Sequence, residues 1–493
     1  MDVIISIKPF LAVLVSILVT PFLILSKRPN VREAWTFAAA IGKFLIVASM
    51  VPTLLKGIPI EFTVAEVLPA VPIKFRVDTF GLMFALVSSL LWIITSAYSI
   101  GYMRGLKEHG QTRYFCYFAL SLSATMGVAF SSNLLTMYLF YEMLSFATYP
   151  LVTHHQDREA RSSGRKYLLY IVGCSIGFVL PAMLYLYGKS GTLEFSSQGF
   201  VSGAGSPALM VFLLLLFLFG FAKAGVMPFH AWLPAAMVAP TPVSALLHAV
   251  AVVKVGVFCI LRVITGVFGT ELLSALHLDI VICLIASFTI ITASLIAMNQ
   301  DNLKLRLAFS TVSQLSYIVM GAALLSPRGL TGAMIHIAMH AFGKITLFFC
   351  AGAIFVATGL RNISEMTGLG RKMPVTFACF LIGSLSVIGL PPCGGFISKW
   401  YLLLGTLEAD RLLMLFVLLS SSVLNAAYFL PVVYRAYFGN LQVSLSNPVV
   451  KEAPAWCLVP VVLTAIGSIL LFFIPQPFFE LAEMAVKTIF SVP

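Results

Sequence analysis

Long apolar runs, separated only by short polar segments, extend along the whole chain. A run of about 20 apolar residues is what an α-helix needs to cross a bilayer. The pattern predicts fourteen transmembrane helices, near 9–26, 34–55, 79–101, 114–131, 132–152, 166–187, 208–226, 241–263, 275–298, 305–325, 329–358, 374–405, 411–438 and 455–474. No interval between them accommodates a soluble domain. We therefore expect an all-α polytopic membrane protein in which residues 1–493 form a single transmembrane domain.

The composition agrees with this class of protein. Hydrophobic residues make up 60% of the chain, charged residues 10%, and the mean hydropathy is +0.99. Ordinary soluble domains contain roughly 45–50% hydrophobic and about 25% charged residues, so a soluble enzyme with a single anchor is excluded. The 40 Phe and 25 Pro exclude disorder and coiled coil. The 8 cysteines are scattered singly, so we expect small buried side chains rather than disulfides or a metal cluster.

Basic residues are unevenly distributed among the predicted loops. The chain has 31 Lys and Arg against 19 Asp and Glu, a net charge of +12. Seventeen of the basic residues lie in loops after odd-numbered helices, nine lie on the opposite side, and five lie within helices. Because cytoplasmic loops are enriched in Lys and Arg, the odd loops are predicted to be cytoplasmic and both termini to lie outside. No dense basic run with interleaved aromatic residues is present, so nucleic-acid binding is not expected.

Proline interrupts two predicted helices at similar positions. Pro228 follows the seventh helix, and Pro391 with Pro392 splits the twelfth. Proline frees backbone carbonyls, which a bilayer tolerates only where protein or water satisfies them. Broken helices at matching positions are typical of transport sites between inverted repeats, although ordinary helix packing also accommodates such residues. The separation of five helices predicts two inverted five-helix repeats, at 114–263 and 275–438.

Glu142 and the lysines Lys43, Lys223, Lys254, Lys344 and Lys399 lie inside the predicted helices, where a charge costs at least about 2.5–3.5 kcal/mol. Glu142 is at the middle of the fifth helix and Lys254 lies deep in the eighth, so both should face the bundle interior. Lys223 precedes the first break, and Lys399 follows the second on a predicted half-helix. Structural alternatives are a neutral or statically paired Glu142 and interfacial positions for Lys223 and Lys399. Lys43 is expected to be structural or lipid-facing.

Histidines add further titratable groups. His336, His340 and Lys344 follow each other at four-residue intervals in the eleventh helix, so they lie along one face with about 40° of drift per step. Imidazole passes protons through both ring nitrogens, which makes this stripe suitable for a relay. His248 is six residues from Lys254 and cannot share its face in a regular helix. A single buried histidine is more often a hydrogen-bonded core residue, but the set predicts proton transfer.

The sequence resembles the antiporter-like subunits shared by respiratory complex I, membrane-bound hydrogenases and Mrp-type Na+/H+ antiporters. The resemblance extends from about Val77 to Phe438. Its strongest stretches are Val77–Leu82, Tyr141–Glu142, Lys223–Pro234, Ala239–Leu246, Leu307–Gln314 and Leu390–Phe396. In that family, the glutamate of the fifth helix modulates the lysine of the seventh, and a lysine or glutamate of the twelfth gates the last half-channel.

The resemblance implies roles for individual residues. The residues at the family's proton-transfer positions are Glu142, Lys223, Lys254, Lys344 and Lys399. The histidines similar to those of the longest complex I member are His248, His336 and His340. Possessing Lys254 as well as these histidines departs from both known patterns. Length and the lysine of the twelfth helix make the chain most similar to the D-type component of Mrp antiporters or its hydrogenase relatives.

The resemblance implies proton translocation, with or without Na+ antiport, by one membrane subunit of a multi-subunit assembly in a bacterial or archaeal plasma membrane. Other membrane subunits would be its partners. No flavin, nicotinamide or iron–sulfur motif is present, so we expect no cofactor and place any redox chemistry on another chain. Two alternatives are a solute transporter that uses the broken helices and a di-histidine haem protein. An Mrp antiporter, a hydrogenase and a respiratory dehydrogenase all fit the sequence.

Overall fold

A computed structural model describes residues 3–201, 205–440 and 450–490, and this part of the chain is mostly helical. Its α-helices are α1 Lys8–Leu25, α2 Pro29–Ala48, α3 Val51–Leu54, α4 Thr79–Gly105, α5 Gln111–Ala129, α6 Leu134–Val152, α7 Arg158–Cys174, α8 Leu180–Ser190, α9 Pro207–Gly220, α10 Trp232–Ala235, α11 Thr241–Ala245, α12 Val252–Arg262, α13 Thr270–Ala275, α14 Leu278–Met298, α15 Leu303–Ala323, α16 Pro327–Thr358, α17 Pro374–Ile388, α18 Gly395–Glu408, α19 Leu412–Phe438, α20 Ala455–Phe473 and α21 Gln476–Phe490.

Shorter helical segments of other pitch join several of these helices. Wide π-helical turns occur at Ser175–Val179, Leu246–Val250 and Val263–Phe268. Tight 3-10 turns occur at Ala222–Ala224, Ala236–Val238, Ile363–Met366 and Leu369–Arg371. Such departures from regular α-helix are common at functional positions within helices.

The fold is that of a multi-pass membrane protein. Eight helical stretches among the described residues are long and apolar enough to cross a bilayer, namely Lys8–Leu25, Pro29–Leu54, Thr79–Gly105, Arg158–Ser190, Leu278–Met298, Pro327–Thr358, Leu412–Phe438 and Ala455–Phe473. Each of the fourteen ranges predicted from the sequence overlaps at least one helix. The amphipathic helix α21 was not predicted, and it buries Leu481 and Val486 where it contacts α4 and α16.

A small sheet corrects the all-α prediction. Its strands are β1 Ile4–Ile5, β2 Ile60–Leu68 and β3 Val71–Val77. β1 runs parallel to β2, which runs antiparallel to β3 with Glu61 opposite Arg76. Polar residues alternate with apolar ones along β2 and β3, which is the period of a strand. A search for apolar runs of helical length does not detect strands with this alternating pattern.

Helix α16 lies at the centre of the bundle. Every residue from Gly329 to Ile354 is buried, and α16 contacts α4, α11, α15, α17, α18, α20 and α21. Glycines permit this close packing. A Cβ atom on Gly352 would lie 2.1 Å from the Tyr98 hydroxyl, and one on Gly332 would lie 2.7 Å from the Leu402 nitrogen. The stripe of titratable residues on α16 is therefore inside the protein.

The two predicted helix breaks are present. Helix α9 ends at Gly220, and the chain turns through Gly225, whose φ is +70°, before Pro228. Helix α17 ends at Ile388, and Gly389 with φ +88° precedes Pro391 and Pro392. Glycine adopts these left-handed conformations without the steric cost that a Cβ atom would bring. The backbone thus leaves the helical path at both predicted positions.

Candidate functional site

Lys223 lies in the first break, within Ala222–Ala224, and its side chain is fully buried. Its Nζ donates to the Tyr141 carbonyl oxygen at 2.5 Å and to Ser145 Oγ at 2.7 Å. The same nitrogen lies 3.3 Å from the centre of the Tyr141 ring, which is a cation–π geometry. The alternative of an interfacial lysine that reaches toward water is therefore wrong for Lys223.

Glu142 follows Tyr141 on α6. Both of its carboxylate oxygens are buried and have no hydrogen-bond partner in the described structure. The carboxylate interacts electrostatically with Lys223 and lies beside the Ser145 and Ser175 hydroxyls. No ion pair within 4 Å joins Glu142 to Lys223, so the two groups are neighbours rather than a static salt bridge.

Lys254 on α12 is in direct contact with His340 on α16. Lys254 Nζ lies 2.8 Å from His340 Nδ1, and the two residues are 1% and 2% exposed. Because an ammonium is only a donor, this bond requires an unprotonated Nδ1, which places the ring proton of neutral His340 on Nε2. His340 Nε2 has no hydrogen-bond partner among the residues that the structure describes.

His336 lies one helical turn before His340, and their ring centres are 5.6 Å apart. His336 Nδ1 is 2.8 Å from Ser398 Oγ on α18, and that hydroxyl donates to the Gly395 carbonyl at 3.1 Å. With the Ser398 proton directed to Gly395, Ser398 can only accept from His336, and this arrangement would place the His336 proton on Nδ1. Its Nε2 is unpartnered in the described structure and is free to accept.

Lys399 lies on the half-helix α18 that follows the second break, and it is 5% exposed. Its Nζ donates to the Ile388 carbonyl at 3.0 Å and to Ser422 Oγ at 3.2 Å, and it lies 4.7 Å from the Tyr317 ring centre. The Tyr317 ring also stacks on His336 with ring centres 5.9 Å apart. One tyrosine therefore separates the last histidine from the last lysine.

Lys344 is directed to another helix than the two histidines of its stripe. Its Nζ donates to Ser310 Oγ on α15 at 2.8 Å and lies 5.5 Å from the Phe429 ring centre. The drift of about 40° per four residues accounts for this, because three successive positions point progressively toward different neighbours. His336, His340 and Lys344 are all buried, as the stripe predicts, but their partners lie on three separate helices.

These contacts order six residues into what we call the buried file: Glu142, Lys223, Lys254, His340, His336 and Lys399. The backbone segments that carry Lys223 and Lys254 pack closely, since a Cβ atom on Gly256 would lie 2.3 Å from the Lys223 carbonyl carbon. Among the described residues, no lysine of the file forms an ion pair with a carboxylate within 4 Å. His248 lies in the wide turn Leu246–Val250, and its side chain is outside the described part of the structure.

Several neighbours of the buried file were not predicted from the sequence. Tyr141 and Tyr317 present their rings to lysines. The serines that bond the file are Ser145, Ser398 and Ser422, and Ser310 bonds Lys344 beside it. Serine and tyrosine are common in membrane helices, so spacing alone does not distinguish these residues. Lys43 is fully buried over the Trp92 ring at 5.0 Å, which excludes the lipid-facing interpretation.

The comparison with protein families assigns the chain. Residues 131–425 match the family described as NADH:quinone oxidoreductase/Mrp antiporter, transmembrane. The chain belongs to this family of antiporter-like membrane subunits. It is 32% identical over 438 residues to NADH-quinone oxidoreductase subunit N of Desulforudis audaxviator, with 86% of each chain covered. It is also 34% identical to Na(+)/H(+) antiporter subunit A1 of Staphylococcus aureus over 394 residues, which is 73% of this chain but 47% of that relative.

Two solved structures share the fold over almost the whole chain. A chain of the Mrp complex from Dietzia sp. superposes with a TM-score of 0.88 at 21% identity, covering 98% of this chain and 97% of the other. A chain of an archaeal membrane-bound sulfane sulfur reductase gives 0.85 at 23% identity with the same coverage. The predicted family is thus confirmed, and neither the solute transporter nor the haem protein is supported. The closer similarity to the D-type component of Mrp antiporters stays a prediction.

Proposed function

We propose that this chain translocates protons along the buried file as one membrane subunit of a multi-subunit assembly. The observation that carries the proposal is the 2.8 Å contact between Lys254 and His340, which joins α12 to α16 deep in the bundle. At this distance two positive charges would repel by about 6 kcal/mol at an effective dielectric of about 20. The pair therefore holds one positive charge, and the proton can move between the two nitrogens.

Opposite tautomers would carry the proton onward. When Lys254 passes a proton to His340 Nδ1, the ring can release the proton already on its Nε2. His336 presents the complementary acceptor, since its own proton lies on Nδ1 against Ser398. The two Nε2 atoms are buried without protein partners in the described structure, and a bridging water would satisfy both. This arrangement would provide a path between Lys254, His340 and His336.

The two ends of the file have similar chemistry. Lys223 and Lys399 each donate to one backbone carbonyl and one serine, and each faces a tyrosine ring. Neutral partners stabilise an ammonium without fixing it in the charged state, as a carboxylate at contact distance would. Glu142 is close enough to favour the charge on Lys223, so its movement or protonation would release the proton.

The architecture proposed around this path follows the sequence predictions. We infer fourteen membrane-spanning segments, with inverted repeats at 114–263 and 275–438 and both termini outside. The two tyrosine–lysine contacts support the repeat, because Tyr141 and Tyr317 lie in the fifth and tenth predicted helices and their lysines in the seventh and twelfth. Each charge moved is worth about 2.3 kcal/mol per 100 mV, so partner subunits must supply a second ion or a redox reaction.

The test uses the intact assembly, purified with its partner subunits and reconstituted in proteoliposomes. Glu142→Gln, Lys223→Ala and Lys399→Ala should each impair proton translocation while the assembly keeps its subunit composition. Lys43→Met is the matched control, because this lysine is equally buried but contacts Trp92 outside the file. Normal translocation in all three file variants would overturn the proposal. Mass spectrometry of the native assembly identifies the partners, and transport with and without Na+ decides whether Na+ is exchanged.

A further inference from the structure

A second cluster of titratable side chains lies outside the buried file. It joins the loop after α4, which carries Glu108 and His109, to the loop after α6, which carries His154 and His155. One carboxylate oxygen, Glu108 Oε2, faces a nitrogen of each histidine. The distances are 3.9 Å to His109 Nδ1, 3.8 Å to His154 Nε2 and 3.7 Å to His155 Nδ1.

These distances are too long for hydrogen bonds but close to those between ligands of one metal ion. Zinc binds nitrogen and oxygen at about 2.0–2.2 Å, and two ligands at a tetrahedral angle are then about 3.3–3.6 Å apart. The ligand atoms of Glu108, His109 and His154 all lie within 4.8 Å of one another. Side-chain rotation of these three residues would bring their donor atoms to the spacing that one ion requires.

His154 gives independent support for a ligand. Its side chain is fully buried, yet neither ring nitrogen has a hydrogen-bond partner within the described chain. Buried polar groups without partners are rare in folded proteins and need an explanation. A metal ion at the point where Glu108, His109 and His154 converge would supply the missing partner.

Both loops are held in position by other contacts. Arg113 donates to the His154 carbonyl at 2.7 Å, Gln111 donates to the Glu108 carbonyl at 3.1 Å, and the Glu108 N–H donates to the Met103 carbonyl at 2.9 Å. Such supporting contacts orient the ligands of a metal site. A pocket of about 380 Å³ borders Glu108 and His155 and offers a route for a hydrated ion.

We propose that Glu108, His109 and His154 form a binding site for one Zn²⁺ ion, and that rotation of the partly exposed His155 side chain, 3.7 Å from Glu108 Oε2, completes it. Three imidazoles and one carboxylate suit zinc, whereas Mg²⁺ and Ca²⁺ prefer oxygen ligands. The ion would tie the loop after α4 to the loop after α6. Helix α6 carries Tyr141 and Glu142, so the site would fix the end of the helix that positions the first lysine of the buried file.

The experiment measures Zn²⁺ binding to the purified full-length protein carrying a histidine-free affinity tag. Titration calorimetry should give one Zn²⁺ per chain, and Co²⁺ in its place should give the visible absorption of a tetrahedral complex. His109→Asn and His155→Asn should each weaken binding by more than about tenfold. These two side chains are 55% and 33% exposed, so the variants should fold. Glu108→Gln should also weaken binding.

His277→Asn is the matched control, because His277 is exposed and lies far along the chain at the start of α14. Its Zn²⁺ affinity should equal that of the wild type. Absence of stoichiometric Zn²⁺ binding by the wild type would overturn the proposal. Binding that persists at full affinity in His109→Asn and His155→Asn would also overturn it. The measurement does not involve transport, so its outcome is independent of the function proposed for the buried file.

Discussion

Lys254 and His340 should act as one unit, and a double-mutant cycle can show this. Lys254→Met keeps the length of the side chain but removes the amine, and His340→Leu removes both ring nitrogens. Each single variant breaks the 2.8 Å bond that joins α12 to α16. If the proton passes directly between the two groups, either substitution already blocks the transfer, so the second substitution should slow translocation little further. The double variant should then be no slower than the slower single variant.

The size of the effect follows from the burial of the pair. Both residues are at most 2% exposed, so water from the surface cannot replace the lost partner. A hydrogen bond to a charged group contributes about 1.5–3 kcal/mol. Since about 1.4 kcal/mol corresponds to a tenfold change in rate, each single variant should slow translocation by about 10- to 150-fold.

The assay is proton uptake by proteoliposomes that contain the intact assembly, followed with a pH-sensitive dye under a fixed driving force. Stability should be measured in parallel by thermal unfolding in detergent, because replacing a buried polar pair by apolar residues is often neutral or stabilising. Thr346→Val on α16 is the control, since among the described residues the Thr346 hydroxyl bonds only the Phe342 carbonyl of its own helix. Rate losses that multiply in the double variant would refute a direct transfer, and so would full activity in either single variant.

The remaining predictions concern stability. Asp78 accepts two hydrogen bonds from Arg262, at 2.6 and 2.7 Å. Burial alone would raise the pKa of Asp78, but Arg262 and the Gly81 N–H hold this pKa below its usual value. Asp78→Asn should keep the helix cap and lower the free energy of unfolding by about 1–2 kcal/mol, a value between those of an exposed and a buried ion pair. Because the pKa of Asp78 is depressed, the ion pair stabilises above about pH 4, and the difference in unfolding midpoint should shrink below that pH. Gly256→Ala would place a Cβ atom 2.1 Å from the Ala224 nitrogen, so it should lower the midpoint and slow translocation, whereas Gly42→Ala, with nothing within 4 Å, should do neither.

The features that could be predicted from the sequence are those whose free-energy cost in a bilayer is highest. Apolar runs revealed the helices, and charged residues within them revealed Lys223, Lys254 and Lys399, because few residues of this kind are tolerated in hydrocarbon. The proline-containing breaks were visible for the same reason. The sheet formed by β1, β2 and β3 was not predicted, since its strands lie between apolar runs and alternate with a period of two.

The partners within the site could not be predicted in the same way. Ser398 and Tyr317 reach His336 from helices that are distant in sequence, and only the packing of α15, α16 and α18 brings them together. The stripe on α16 was predicted as one face, but helical drift sends Lys344 toward Ser310 instead of toward the histidines. Sequence periodicity gives the face of a helix, whereas the identity of each contact depends on the tertiary arrangement.

The contacts would allow the proposed path to carry charge without an embedded counter-ion at each step. Lys223 and Lys399 are each solvated by a carbonyl, a serine and a tyrosine ring, which together replace part of the hydration that an ammonium loses on burial. A carboxylate at contact distance would hold the proton on the lysine. Glu142 lies near Lys223 without pairing to it, so its carboxylate can bias the charge and still allow the proton to leave. The distance between these two side chains is therefore the variable through which a partner chain could control the first step.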